Sequence, residues 1–135
     1  MSHVHDPVER FLTSPAFGVV GASPRRHKYG NKVLRCYQQA GRRATPVNPR
    51  EAQIEGVACV ASVLDLPGDV KSISVITPPA VTERVVEEAI RKGIEHVWMQ
   101  PGAESERAVA ACEAAGINVI ADGSCVLVVL GYRER

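Results

Sequence analysis

Four short stretches of the chain carry groups able to hold an anionic ligand. The first is Gly21-Ala22-Ser23, followed by the cations Arg25, Arg26 and Lys28, with His27 among them and Tyr29 just after. Small residues let backbone N–H groups approach a phosphate, and the helical pattern that follows brings a partly positive helix N-terminus to the same place. The basic residues are more than a single pyrophosphate needs. The second stretch is "PVNPR", Pro46 to Arg50, in which Asn48 and Arg50, beside Val47, can meet a purine edge or a ribose phosphate. The third is Thr77-Pro78-Pro79, where two prolines remove N–H donors and present a flat apolar shelf suited to an adenine face or an alkyl amide chain. The fourth is "WMQPG", in which Gln100 offers one amide at the mouth, Gly102 permits an unusual turn and Trp98 reads as core.

These stretches need elements to bring them together. Short apolar or β-branched runs at Phe17 to Gly21, Ser72 to Ile76, His96 to Met99 and Ile117 to Ala121 read as strands, with a weaker one at Arg43 to Val47 and a short one at Val57 to Cys59. Between them lie helical patterns at Asn31 to Ala40, Val81 to Lys92 and Ser105 to Ala115, each stopped by a glycine, and a helical turn at Val60 to Leu64. Strand and helix alternate with short connections, which predicts an α/β, Rossmann-like, doubly wound parallel sheet of five or six strands in a three-layer sandwich. Ligands in such sheets bind at the carboxyl ends of the strands, near the point where strand order reverses. All four stretches fall at predicted strand ends.

Composition narrows the classes. At 135 residues, 45% hydrophobic and 23% charged, the chain fits one domain over 1–135, its first dozen residues a partly ordered tail or a short helix. The net charge of +1 gives no sign of a nucleic-acid or membrane partner. The N-terminus lacks an apolar signal core and no run approaches the roughly 20 apolar residues of a membrane span, so a cytoplasmic protein is expected. The four cysteines, Cys36, Cys59, Cys112 and Cys125, form no CxxC pair, which argues against zinc and against a disulfide framework. Cys36 and Cys112 fall in helical patterns and read as packing.

Catalytic sets are not evident. His3 and His5 with Asp6 can in principle grip a metal, but lie in a terminal segment of the kind that is ordinarily solvated; His27 belongs to the basic loop and His96 opens a strand. No Ser/His/Asp set or paired carboxylates stand out. Gly21 is followed by no further glycine until Gly30, so the first stretch is not a full dinucleotide fingerprint. No Asp or Glu closes the second strand, which counts against NAD and leaves NADP or another phosphorylated adenosine compound.

The series "VVGASP", "GNKVLRCYQQAG", "PVNPR", "VITPP", "VWMQPGA" and "VIADGSC", in this order, resembles the stand-alone CoA-binding domain family, related to the N-terminal domain of the succinyl-CoA synthetase alpha subunit. The likeness runs from about Pro15 to Cys125. It implies a Rossmann-like fold that binds coenzyme A, free or acylated, through Gly21, Ala22, Ser23, Arg25, Arg26, Lys28, Tyr29, Val47, Asn48, Arg50, Thr77, Pro78, Pro79 and Gln100. The 3′-phosphate of CoA would give the basic cluster enough anionic oxygens to meet. Where the family often has Asp-x-Cys, this chain has Asp122-Gly123-Ser124-Cys125, one residue longer, and Cys125 is the candidate thiol for a mixed disulfide or an acyl group. The apolar Val126 to Leu130 departs from the family's polar tail and suggests a different final strand or a homodimer contact. The resulting expectation is non-catalytic binding of a CoA compound, as carrier, sensor or regulatory module. The alternatives are an NADP-binding component of a reductase and a ligand-free scaffold or interaction module. If the basic loop holds phosphate, replacing Arg25 and Arg26 by Glu will weaken CoA binding far more than it lowers the melting temperature; unchanged affinity would remove that role.

Overall fold

The computed structural model of the protein describes residues 6–134. His3 and His5 lie outside the described residues, while Asp6 caps the first helix, α1 (Pro7–Leu12), accepting a 2.9 Å hydrogen bond from the Val8 amide. The remaining elements are β1 (Ala16–Val20), α2 (Tyr29–Gln39), β2 (Arg43–Val47), β3 (Gln53–Ile54), β4 (Val57–Ala58), a 3₁₀ turn at Val63–Asp65, β5 (Ser72–Val75), α3 (Pro79–Lys92), β6 (His96–Met99), α4 (Glu106–Ala114), β7 (Asn118–Ile120) and α5 (Val126–Val129).

Five strands form one parallel sheet in the order β2-β1-β5-β6-β7. The chain leaves β1 for β2 on one side and returns to β5 on the other, so strand order reverses between β1 and β5. Parallel strands covered on both faces must be apolar throughout, and β1 and β5 are buried at every residue. Alternation along the strands divides the interior in two. Val20, Ile73, Val75, Val97 and Met99 meet α3 and α4 on one face, whereas Phe17, Val19 and Trp98 meet α1, α2 and α5 on the other. The second face carries an aromatic cluster: Phe17 stacks on Tyr37 at 4.8 Å between ring centres, and Phe11 meets Trp98 edge-on at 5.3 Å. Two serines of β5 face it, and neither is left unpaired. Ser74 meets the Tyr37 hydroxyl at 2.6 Å and Ser72 bonds to Ser14.

Two predicted strands take other forms. The run at Val57 to Cys59 yields β4, which pairs antiparallel with β3 in a separate hairpin; the large sheet has five strands, and Val60 adds a single parallel bridge to Val47. Val126 to Leu130 is no strand. It forms the short helix α5, whose Val126 is buried against α2 while Val128 stays 79% exposed. A one-turn helix that buries one residue in three or four reads in sequence as an apolar strand. Among the described residues, no helix is long and apolar enough to cross a membrane.

Two glycines bring backbone against backbone where β1 meets β5 and α2. Gly21 turns away from β1 at φ +96°, and a Cβ there would lie 2.0 Å from the carbonyl oxygen of Ile76, at the end of β5. A Cβ on Gly30, in the first turn of α2, would lie 2.0 Å from the carbonyl oxygen of Gly21. No rotamer change relieves a clash with backbone. Gly30→Ala is therefore expected to destabilise the fold by about 3 kcal/mol, at the upper end of overpacking costs, lowering Tm by roughly 10 °C in thermal unfolding; a shift of a degree or two would show that α2 has room to move.

Candidate functional site

The glycine contacts place the N-terminus of α2 directly over the switch point. The two structural duties of a dinucleotide fingerprint, a tight turn and close helix–strand packing, fall here to Gly21 and Gly30. The loop between them bulges outward and carries the cations. Its fold is closed internally: the Arg25 amide donates to Ser23 Oγ at 3.1 Å and the Lys28 amide to the Arg25 carbonyl at 3.0 Å. Lys28 occupies the N-cap of α2 but makes no side-chain cap, so no side chain of the cap residue competes for the first-turn amides.

Arg25, Lys28 and Arg50 are exposed. Arg26 is ion-paired, Nη1 to Glu55 Oε1 at 2.7 Å. Glu55 sits at the tip of the β3–β4 hairpin at φ +50°, the one non-glycine residue with positive φ among the described residues. Its other oxygen accepts from Asn31 Nδ2 at 3.1 Å. That hydrogen bond, aided by Arg26, holds the Glu55 carboxyl below the ordinary carboxylate value.

Asn48 lines the first of two clefts and is also bonded within the protein. Its Nδ2 donates to the Ala22 carbonyl at 2.9 Å and its Oδ1 accepts from the amides of Arg50 and Glu51 at 2.8 and 3.2 Å. The side chain stitches the loop after β2 to the loop after β1. Beside it opens a cleft of about 240 Å³. Val20, Val47 and Val63 make it apolar, and Val81, Val85 and Glu88 form its wall along one face of α3. Among the described residues, Glu88 is the only carboxylate lining it. A second cleft of about 280 Å³ lies between Thr77-Pro78 and Pro101-Gly102, and Thr77 borders both. The Thr77 hydroxyl is anchored to that of Thr82 at 2.7 Å, and Pro79 begins α3.

Tyr29 and Gln100 belong to a layer beneath these clefts. Gln100 does not open on the mouth: it is fully buried, and its Oε1 accepts from the Tyr29 hydroxyl at 3.0 Å and the Val126 amide at 2.9 Å. Its Nε2 has no hydrogen-bond partner among the described residues. The same Tyr29 hydroxyl lies 2.8 Å from Cys125 Sγ, and burial pushes the phenol far up, so it stays protonated. Cys125 is half-buried, Cys36 and Cys112 are buried, and burial raises the last two thiols to about 11. Trp98 lies in the core, as read, its indole N–H donating to the Ser124 carbonyl at 3.1 Å. Asp122 closes a local turn through the Ser124 amide and hydroxyl.

Four residues of this region escape a reading by strand ends. Asn31 and Arg35, spaced i and i+4 on α2, were a visible signal; Glu55 and Glu88 reach the site only through the fold.

Comparison with known proteins agrees with this geometry. Residues 16–130 match the family described as CoA binding domain. The ADP-forming acetate–CoA ligase I of Archaeoglobus fulgidus is 32% identical over 88 residues, 65% of this chain but only 13% of the ligase. The chain thus spans a small fraction of the curated ligases it matches. A conserved hypothetical protein of Pyrococcus furiosus has the same structure at a TM-score of 0.81, with 40% identity over 84% of this chain and 97% of that one. A hypothetical protein of Pyrococcus horikoshii gives 0.85 at 30% identity, over 91% and 86%. With a match across nearly its whole length and the switch-point geometry to go with it, this chain belongs to the CoA-binding domain family.

Proposed function

We propose that the protein binds coenzyme A or an acyl-CoA across the switch point, in the cytoplasm, without chemistry of its own, as a carrier, sensor or regulatory module. The observation that carries this reading is the pair of clefts meeting at Thr77, flanked by the Gly21 turn, the uncapped N-terminus of α2 and the exposed cations Arg25, Lys28 and Arg50. The apolar cleft suits adenine. Glu88, at its wall, accepts from the exocyclic amine. The pyrophosphate lies against the first-turn amides of α2, where the helix dipole favours an anion. The pantetheine arm, an alkyl chain with two amides, runs past Thr77 and Pro78 into the second cleft. Arg26 reaches phosphate only in exchange with Glu55, so Arg25, Lys28 and Arg50 take the larger share.

A thermal-shift series with CoA, acetyl-CoA, NADH, NADPH and ATP tests the reading. A ligand that binds only the folded state stabilises it by about 2.7 kcal/mol at a hundredfold excess over Kd. Shifts with both CoA compounds and none with the nicotinamides are expected. A shift with NADPH alone would move the assignment to a reductase component, and no shift at all would favour an interaction module. Glu88→Ala should weaken CoA by roughly tenfold, within the range of a hydrogen bond to a charged group, while leaving pantetheine binding unchanged; equal CoA affinity in calorimetry would take adenine out of the first cleft.

A further inference from the structure

Arg35 lines neither cleft, yet it is the one arginine among the described residues that is buried, at 5% exposure. A buried guanidinium is costly unless every donor is engaged, and a well-packed apolar side chain of similar size usually serves a core as well or better. Its partners indicate what keeps it. Nε donates to Asn31 Oδ1 at 2.6 Å, and Nη2 donates to the backbone carbonyl of Arg26 at 2.6 Å. Asn31 in turn donates through Nδ2 to the Ser23 carbonyl at 2.8 Å. Two carbonyls of the basic loop are therefore gripped from below, one directly and one through Asn31. Both grips end on backbone, so they fix the path of the loop without engaging the exposed side chains of Arg25 and Lys28.

The counter-ion comes from the far end of the chain. Arg35 Nη1 meets Glu134 Oε2 at 3.2 Å, and the other Glu134 oxygen lies 3.4 Å from Lys32 Nζ. Gln39, one turn on, exchanges two hydrogen bonds with the backbone of Arg133 at 2.7 and 3.0 Å. Tyr132 places its ring 5.5 Å from the Arg35 guanidinium carbon. Lys32, Arg35 and Gln39 share one face of α2, and residues 132–134 run along it as a strap.

We propose that Arg35 is the positioning residue of the phosphate-binding loop: it holds the backbone of Ser23 to Lys28 in its binding shape before a ligand arrives, and the C-terminal strap supplies its counter-ion. The proposal rests on the CoA reading for its effect on affinity, but its structural half applies to the free protein. A lysine at this position keeps the charge and loses the fork that spans Asn31 and the Arg26 carbonyl.

The test combines amide hydrogen exchange on the free protein with CoA titration by calorimetry, on the wild type, Arg35→Met, Arg35→Lys and Glu134→Gln, all well below their melting temperatures. In Arg35→Met the amides of Arg25 and Lys28 should exchange at least tenfold faster while those of β1 and β5 keep their protection, and the Kd for CoA should rise at least tenfold. Arg35→Lys should fall between that variant and the wild type, and Glu134→Gln should shift loop exchange in the same direction by a smaller factor. Acceleration spread equally over the strands would make Arg35 a general stabiliser and overturn the proposal, as would a loosened loop with unchanged Kd or an undisturbed loop. Should Arg35→Met fail to fold, Asn31→Ala, which cuts the link to Ser23, carries the same expectations with Glu134→Gln. If the wild type binds no CoA, the reading of the cleft fails, and loop exchange alone still decides whether Arg35 positions the loop.

Discussion

The architecture at the carboxyl edge of the sheet depends on three backbones meeting with no side chain between them. The carbonyl of Ile76, the turn at Gly21 and the first turn of α2 at Gly30 are in contact at the point where the sheet reverses its strand order. Because a Cβ at either glycine would sit 2.0 Å from a carbonyl oxygen, the separation of α2 from the sheet is set by these two residues. The two ends of the loop after β1 inherit their positions from that contact, while Asn31, Arg35 and Asn48 hold the backbone between them. The helix N-terminus, with its partial positive charge and no side-chain cap from Lys28, is carried to the crevice by packing and needs no dedicated ligand to hold it there.

Charge around the crevice follows a division of labour. Cations that face outward, Arg25, Lys28 and Arg50, stand on loops, whereas Arg35 is buried beneath them and Arg26 is tied to Glu55. The hairpin that presents Glu55 has a local cost, since a glutamate at positive φ is disfavoured where Asn or Gly would serve the turn. Its contacts with Asn31 and Arg26 offset that cost. The hairpin thus belongs to the loop it faces, although it adds no strand to the large sheet.

Much of this was legible in the sequence, for identifiable reasons. Parallel strands buried on both faces make short apolar runs, so β1, β5 and β6 appear as such, and glycines after periodic runs mark helix ends. Trp98 reads as core because it sits inside one of those runs. What failed was context. Val126 to Leu130 is uniformly apolar because one turn of helix packs its first residue and leaves Val128 in solvent, a pattern with no period long enough to detect. Gln100 follows a strand and so looks like a mouth residue, but the Tyr29 hydroxyl and the Val126 amide roof it over. Asn48, by contrast, stands at a strand end and does line the first cleft, and the fold adds only that its amide also bonds the Ala22 carbonyl. Glu55 and Glu88 had no local signal, since each owes its place to elements distant in sequence.

The Asn48 stitch has a consequence for timing. It joins the loops after β1 and β2 within the free protein, and together with the Asn31 bond to Ser23 it leaves little backbone freedom for a guest to remove. If the proposed ligand binds here, its capture would need no slow closing motion, and encounter would be governed by diffusion and by the shedding of water. Differences between competing guests then show mainly in how long each one stays.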